Sequence, residues 1–228
     1  MKKNRILTTS ACIALIAMAA ATTSMAQPIV NGGFELAAAP GVPTGWSLNP
    51  AGGTLKTSSA YAHSGLQSLA IDSTGAGAWS VPNLFQSFSA SAGQEFNLSG
   101  YMLTPTAITD ASFGLFKMEF LNSANVILAP ASVSIGGNAG GPFFGAESTP
   151  FLNNASPVGQ WIFSQTQAIA PVGAVTVNFY ALNVNQGIAP GPMYFDDVAA
   201  YVVGVPEPSS LALVGLGFAS LVGLRRRK

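Results

Sequence analysis

The side chains that could carry out catalysis are few in this chain of 228 residues. His63 is the only histidine and Cys12 the only cysteine, so no second such residue can complete a metal triad or a Cys–His pair. His63 resembles a turn residue that packs at an edge of the fold, and no nucleophile-elbow pattern accompanies it. The acids show no spacing that pairs two carboxylates for glycoside hydrolysis. The sequence therefore predicts a protein that is not an enzyme.

Aromatic and amide side chains offer a different chemistry, the binding of sugars. Sugar rings present C–H faces that stack on aromatic rings, and their hydroxyl groups hydrogen-bond to amides and carboxylates. The stretch 75–80 consists of small residues around one tryptophan, and it could present that ring to solvent. Tyr180 and Asn178 alternate with apolar neighbours, so they line either a groove or a solvated face. The predicted ligand-binding residues are Trp79, Tyr180, Asn178, Gln86 and Tyr61.

The first 26 residues have the three parts of a secretory signal peptide. Lys2, Lys3 and Arg5 form a positive region, residues 6–21 are apolar, and residues 24–26 supply the small side chains that a signal peptidase reads. We expect a signal helix that is cleaved before Gln27, although a retained anchor helix is the alternative. Cleavage removes Cys12, so the mature chain has no thiol and no disulfide.

The last 24 residues, 205–228, combine a proline break, an apolar run and a basic end. Pro206-Glu207-Pro208 can continue neither a helix nor a central strand. As a helix, the charge-free run 209–224 would span about 24 Å, which makes a transmembrane helix weakly matched to a hydrocarbon core of about 30 Å. Cations that follow such a helix stay on the cytoplasmic side. Here they are Arg225, Arg226, Arg227 and Lys228.

This tail resembles the PEP-CTERM sorting signal of Gram-negative bacteria. In that family, an integral-membrane exosortase recognises the tail and is thought to cleave near the motif, in bacteria that make exopolysaccharide. The resemblance implies an inner-membrane anchor before processing and a cell-surface or extracellular destination after it. The alternative, a buried C-terminal helix of a soluble domain, leaves the proline break and the four cations unexplained.

The central part, residues 27–204, is long enough for one domain with its own core. It has two cations, Lys56 and Lys117, against eight acids, a net charge of −6. Nucleic-acid binding requires a basic surface, so this composition excludes nucleic acid as a partner. Charged residues make up 8% of the whole chain, against a usual figure of about 25%. The surface must therefore be built mostly from small polar residues.

Several segments of the central part alternate apolar and polar residues. Phe116, Met118 and Phe120 share one face of a predicted strand, and Lys117 and Glu119 share the other. Clusters of Gly, Pro, Asn and Ser separate such segments, and no segment has a helical stripe. The predicted strands are 55–58, 68–72, 84–89, 95–103, 115–121, 161–169, 175–180 and 193–203. They indicate an all-β sandwich, with residues 129–159 as a long loop that contains a short strand.

Short motifs follow one another in order along this part. They are Asn31-Gly32-Gly33-Phe34-Glu35, Thr44-Gly45-Trp46, Ala62-His63-Ser64-Gly65, Leu84-Phe85-Gln86, Phe96-Asn97-Leu98 and Tyr194-Phe195-Asp196-Asp197-Val198. In this order they resemble the galactose-binding-like jelly rolls, notably carbohydrate-binding modules that bind xylans and glucans. The resemblance implies a jelly-roll β-sandwich in which Trp46 and Trp161 pack in the core.

The same resemblance implies a structural calcium ion. A glutamate and an aspartate at the positions of Glu35 and Asp196 help to hold calcium in that family, with backbone oxygens completing the site. Calcium requires six to eight oxygen ligands, and carboxylates also bring negative charge. Such an ion would tie the first strand to the last in a domain without disulfides. Asp197 is the alternative ligand, and exposed loop carboxylates without metal are the alternative to a site.

The sequence supports three functional hypotheses of different classes. The first is an exported, non-catalytic protein that binds exopolysaccharide or the cell envelope. The second is a structural biofilm-matrix protein that binds no sugar and acts by self-association. The third is a glycan hydrolase whose catalytic pattern is unfamiliar. Binding and hydrolysis assays on polysaccharides distinguish the three.

Overall fold

The computed structural model describes residues 25–27, 29–38, 41–74, 79–138, 145–187 and 191–203. Within these ranges the chain forms strands and no helix, so no helix there is long and apolar enough to cross a membrane. The segments predicted to form the signal and transmembrane helices lie outside the described residues, apart from Met25 and Ala26. The sorting residues Pro206, Glu207, Pro208, Arg225, Arg226 and Arg227 also lie outside them.

Fifteen strands are present among the described residues. The first eight are β1 (Met25–Gln27), β2 (Ala37–Ala38), β3 (Val42–Pro43), β4 (Ser47–Asn49), β5 (Thr54–Ser58), β6 (Ser68–Asp72), β7 (Asn83–Ser89) and β8 (Glu95–Leu103). The others are β9 (Phe113–Leu121), β10 (Ile127–Leu128), β11 (Ser132–Ile135), β12 (Ala146–Glu147), β13 (Ile162–Ile169), β14 (Thr176–Val184) and β15 (Pro192–Val203). The predicted strands at 68–72 and 95–103 have the observed bounds, and the predicted loop 129–159 contains β11 and β12.

The strands form two main antiparallel sheets. A seven-stranded sheet has the order β11-β13-β8-β15-β6-β5, with β1 also paired to β15. A six-stranded sheet has the order β10-β9-β14-β7-β4, with β12 also paired to β9, and β2 pairs with β3 separately. The predicted all-β sandwich is confirmed.

Aromatic side chains from both sheets fill the core between them. The ring of Phe96 on β8 lies 5.8 Å from that of Phe120 on β9 and 6.1 Å from that of Phe179 on β14, centroid to centroid. Phe116 meets Phe195 edge to face at 5.7 Å. All five rings are fully buried. Burial of each such side chain contributes roughly 1.5–3 kcal/mol, so these contacts hold the two sheets together.

The two tryptophans that were predicted to be core residues have different environments. Trp46 is 7% exposed and its ring lies 5.3 Å from that of Phe34, so the prediction is confirmed for Trp46. Trp161 is only partly buried and packs outside the inter-sheet core. Its contacts there are with a small cluster formed by Ala70, Leu103 and Tyr194. The next residue, Ile162, pairs with the buried Met102. Because side chains alternate along a strand, Trp161 faces the opposite side.

The first segment of the domain is attached to the last strand. The Val198 N–H donates to the Gly32 carbonyl at 2.9 Å, and a Cβ at Gly32 would lie 2.0 Å from the Val198 carbonyl oxygen. Only glycine therefore allows this approach of the two backbones. Next to this contact, a register shift in β15 between Asp196 and Ala199 gives Asp197 a φ of 48°. Such bulges re-aim side chains, and this one brings two adjacent carboxylates toward the first segment.

Candidate functional site

A row of polar side chains crosses the outer face of the six-stranded sheet. Ser87 Oγ donates to Asn178 Oδ1 at 2.7 Å, and Asn178 Nδ2 donates to the Tyr180 hydroxyl at 3.0 Å. On β9, Lys117 Nζ donates to Glu119 Oε1 at 2.7 Å. Asn178 is opposite both Ser87 and Glu119, and Tyr180 is opposite Lys117, so all five point the same way. We call Ser87, Asn178, Tyr180, Glu119 and Lys117 the polar row.

The polar row is only partly open to water. The side chains of Lys117 and Glu119 are 11% and 14% exposed. Burial, followed by the negative charge of Glu119, raises the pKa of Tyr180 to about 12. The Tyr180 phenol therefore stays protonated at neutral pH and keeps an O–H donor. The sequence left open whether Asn178 and Tyr180 line a groove or a solvated face, and this burial shows that the face is not fully solvated.

An apolar pocket of about 140 Å³ lies on the same face of the sheet. Its walls come from β9, β12, β14 and the segment before β7. The lining residues are Trp79, Val81, Phe113, Leu115, Lys117, Glu147, Leu182 and Val184. Trp79 is 58% exposed, so its ring is available to a ligand at the pocket. Lys117 belongs to both features, and the pocket therefore continues the polar row. We call this feature the apolar pocket.

Most residues of the pocket were not predicted from the sequence, because the polarity of the two faces of β14 reverses along the strand. At its start, apolar residues face inward and polar ones outward. Further along, Asn183 faces the core, where its side chain donates to the Ile71 carbonyl at 3.2 Å. Leu182 and Val184 then face outward, opposite Leu115 and Phe113 on β9. The sequence does contain one signal for the pocket: Leu182, two positions after Tyr180 and therefore on the same face of the strand, is apolar.

Two predicted ligand-binding residues lie away from this face. Gln86 is opposite Phe179 and points into the sandwich. Its Oε1 accepts from the Val30 N–H at 3.0 Å, and its Nε2 donates to the Val30 carbonyl at 2.6 Å. Tyr61 packs its ring 4.8 Å from that of Tyr194, on the seven-stranded sheet. The structure brings Trp79, Asn178 and Tyr180 to one face and leaves Gln86 and Tyr61 elsewhere.

The side chains of the two predicted metal-binding acids, Glu35 and Asp196, both approach Gly33, although the residues are 161 positions apart in the sequence. The position of a Cβ on Gly33 would be 3.9 Å from Asp196 Oδ1 and 4.0 Å from Glu35 Cγ. Asp197 Oδ1 is 3.7 Å from the same point. Asp196 is fully buried, whereas Glu35 is exposed. The first segment and the last strand therefore contribute acids to one place.

Backbone N–H groups of the 63–67 turn hold these acids. Asp196 Oδ2 accepts from the N–H groups of His63 at 2.8 Å and Ser64 at 3.3 Å. Glu35 Oε1 accepts from the N–H groups of Leu66 at 2.9 Å and Gln67 at 3.0 Å. Burial raises the pKa of Asp196, and the hydrogen bonds that it accepts from the backbone N–H groups of His63 and Ser64 oppose that rise.

His63 packs at the edge of the sandwich, as predicted. Its ring stacks on Tyr101 at a centroid distance of 3.6 Å, and its Nδ1 lies 2.6 Å from Asp197 Oδ2. Ser64 Oγ donates to the other oxygen of the same carboxylate at 2.6 Å. The serine thus bonds the aspartate and not the histidine, which is not the arrangement of a nucleophile and its general base.

The C-terminal residues 204–228 match the family description "PEP-CTERM protein-sorting motif". The chain thus ends in a PEP-CTERM sorting signal. The prediction made from Pro206-Glu207-Pro208 and the basic end is confirmed. The match concerns the tail alone, and no curated protein matches this chain.

Several solved structures share the fold of this chain at low sequence identity. The C-terminal family 22 carbohydrate-binding module of Clostridium thermocellum Xyn10B is 15% identical, with a TM-score of 0.50 over 78% of this chain and 98% of that one. A Stig cyclase, Fisc from Fischerella sp. TAU, was solved with an indole compound. It is 16% identical, with a TM-score of 0.52 over 80% and 100% of the two chains. Arabinose-bound MgGH51 α-L-arabinofuranosidase is 11% identical, with a TM-score of 0.54 over 79% and 26%. These similarities confirm the jelly-roll sandwich, and the fold is present in both binding modules and enzymes.

The acids around Gly33 fit a hard cation by donor type. The described part of the chain contains no group of three or more His, Cys, Asp and Glu side chains that could hold a metal. A calcium ion at Asp196 and Glu35 would therefore need backbone carbonyl oxygens or water for its remaining ligands.

Proposed function

We propose that this protein is exported and binds extracellular polysaccharide on the outer face of its six-stranded sheet, without cleaving it. The observation that carries the proposal is the polar row beside the apolar pocket, with the exposed ring of Trp79 at the pocket. Amide, phenol and carboxylate groups can hydrogen-bond to sugar hydroxyl groups, and the indole ring can stack on the C–H face of a sugar. The net charge of −6 in residues 27–204 favours a neutral polymer over an anionic one.

The sorting signal supports the proposed route to the polysaccharide. The chain would cross the inner membrane, remain anchored there by residues 205–228, and pass to an exosortase that recognises the tail. Processing would then release it to the cell surface or the surrounding matrix. This route places a neutral-sugar binding face where exopolysaccharide is made.

The test is binding of the purified protein to exopolysaccharide from its own host, with and without calcium. We expect saturable binding and no release of reducing ends. Absence of binding in both conditions would contradict the proposal and favour a structural matrix protein. Reducing ends released from any polymer of a test panel would contradict its non-catalytic part.

We further propose that calcium, held by Asp196 and Glu35, stabilises the domain. A ligand at 100 times its dissociation constant stabilises a folded protein by about 2.7 kcal/mol, and 1 kcal/mol shifts the melting temperature of a domain this size by about 2–4 °C. EDTA should therefore lower the melting temperature by about 5–10 °C, and added calcium should restore it. An unchanged melting temperature in EDTA would rule the metal out.

Variants assign the calcium effect to these residues. Asp196→Asn and Glu35→Gln should each raise, at least tenfold, the calcium concentration that is required for a given increase in melting temperature. Glu35→Gln is the milder change, because Glu35 is exposed. The control is Glu95→Gln, because Glu95 accepts from Ser134 Oγ and Gln167 Nε2 at another edge of the sandwich. Equal calcium responses in all three variants would place the ion elsewhere.

A further inference from the structure

We infer that the apolar pocket selects sugars that carry a methyl-terminated substituent, either an O-acetyl ester or the C6 methyl group of a 6-deoxy sugar. This inference rests on the proposed function, since it names the class of sugar that the same face prefers. It concerns the pocket and not the polar row, which can serve any sugar with free hydroxyl groups.

The chemistry of the pocket walls disfavours an unsubstituted sugar. Six of the eight lining residues are apolar or aromatic: Trp79, Val81, Phe113, Leu115, Leu182 and Val184. A hydroxyl group placed against these side chains would lose its water without gaining a partner, which costs free energy. A methyl group in the same place gains free energy, because it leaves water for an apolar surface.

Charge at the pocket disfavours an acidic substituent. Among the described residues of the lining, Lys117 is the one cation, and it already binds Glu119 at 2.7 Å. Glu147, opposite Lys117 on the paired strand β12, is the acid among the described lining residues, so two carboxylates lie near Lys117: Glu147 in the lining and Glu119 in the polar row. Two acids against one lysine would repel a uronate, pyruvate or sulfate group. The substituent is therefore expected to be neutral.

The size of the pocket suits a substituent rather than a whole ligand. Its volume of about 140 Å³ is well below the ~300–1,000 Å³ of pockets that enclose drug-sized molecules. The sugar chain itself would lie on the adjoining polar row, where Tyr180 and Asn178 are placed to contact hydroxyl groups. Lys117, which belongs to both features, shows that the two surfaces are continuous.

The test compares one xylan with and without its acetyl esters, and adds a polymer whose sugars carry a C6 methyl group. Binding of the full-length chain in detergent is measured to partially O-acetylated xylan, to the same xylan after mild alkaline deacetylation, and to a neutral polymer of a 6-deoxyhexose. We expect at least about tenfold tighter binding to one methyl-bearing polymer than to deacetylated xylan, or about 1.4 kcal/mol. Preference for the acetylated or for the deoxy polymer identifies the source of the methyl group.

The outcomes separate this inference from the proposed function. Equal binding of all three polymers would overturn methyl selection and leave polysaccharide binding standing. Tighter binding of deacetylated xylan would also overturn it. If none of these polymers is bound but the host exopolysaccharide is, the comparison is repeated on the host polymer before and after alkaline deacetylation, and an equal affinity overturns selection of the O-acetyl group. Equal affinities of the parent protein and of Val184→Thr for the deacetylated host polymer then overturn selection of a deoxy-sugar methyl group. Binding of no polymer at all overturns both.

A polar variant of nearly equal shape tests the pocket directly. Val184→Thr should reduce the preference for the methyl-bearing polymer over deacetylated xylan to about twofold. Val81→Thr, at a less buried wall of the pocket, is the second variant if Val184→Thr does not fold. The matched control is Val175→Thr, 46% exposed and outside the lining. A preference that survives in both folded pocket variants would overturn the inference.

Discussion

Replacing Trp79 with alanine is expected to lower the affinity for polysaccharide at least tenfold and to leave the melting temperature nearly unchanged. Trp79 lines the apolar pocket, and 58% of it remains exposed. Tryptophans at the centre of binding surfaces commonly contribute 2 kcal/mol or more, and about 1.4 kcal/mol corresponds to tenfold in affinity. An exposed ring contributes little to the core, so stability and binding should separate in this variant.

A matched control makes the Trp79 result specific. Phe163 is also an exposed aromatic residue, 45% exposed, but its strand β13 belongs to the seven-stranded sheet. Phe163→Ala should bind polysaccharide as the parent protein does. Both variants are compared by affinity electrophoresis and by thermal unfolding. Similar losses in both variants, or full binding by Trp79→Ala, would show that sugars are not bound at the apolar pocket.

The alternation of apolar and polar residues was enough to predict the all-β sandwich and to place Asn178 and Tyr180 on one face of their strand. Phe116, Met118 and Phe120 were predicted to share a face, and all three are fully buried. The same rule placed Asn178 and Tyr180 together on the opposite face. These predictions succeed because side-chain direction in a strand depends only on local geometry.

The faces of Gln86 and Trp161 could not be derived in the same way. Which face of a strand turns inward is decided by its partner strand, and partners are distant in sequence. Gln86 is opposite Phe179, 93 residues later, and that pairing turns its amide to the Val30 backbone. The apolar pocket has the same origin, since it forms where β9 and β14 become neighbours. The proximity of Glu35 and Asp196 was likewise predicted by resemblance to a family and not by any local pattern.

The outer face of the six-stranded sheet therefore depends on how firmly β14 is anchored. Asn178, Tyr180, Leu182 and Val184 all project outward from this strand, and they contribute to both the polar row and the apolar pocket. Phe179 lies between the first two and projects inward. Phe179 thus attaches to the core the strand that carries the residues proposed to contact the sugar.

Phe179→Ala is expected to lower the free energy of unfolding by about 3–5 kcal/mol, more than any other variant proposed for this protein. The Phe179 ring is fully buried, 5.4 Å from the ring of Phe88 on the neighbouring strand and 6.1 Å from that of Phe96 on the other sheet. Its removal leaves a cavity where the two sheets meet. Since domains are typically stable by only about 5–15 kcal/mol, the variant would lose a large share of its stability.

Urea unfolding measures this loss. The midpoint of Phe179→Ala should fall while the slope with denaturant is retained, because the area exposed on unfolding is nearly the same. Val175→Ala is the control, since Val175 is 46% exposed just before the same strand, and it should change the free energy by less than about 0.5 kcal/mol. A loss below about 1 kcal/mol in Phe179→Ala would mean that the sheets do not meet at this ring. In that case β14 would be held mainly by its hydrogen bonds to β7 and β9, and the outer face would not depend on the core.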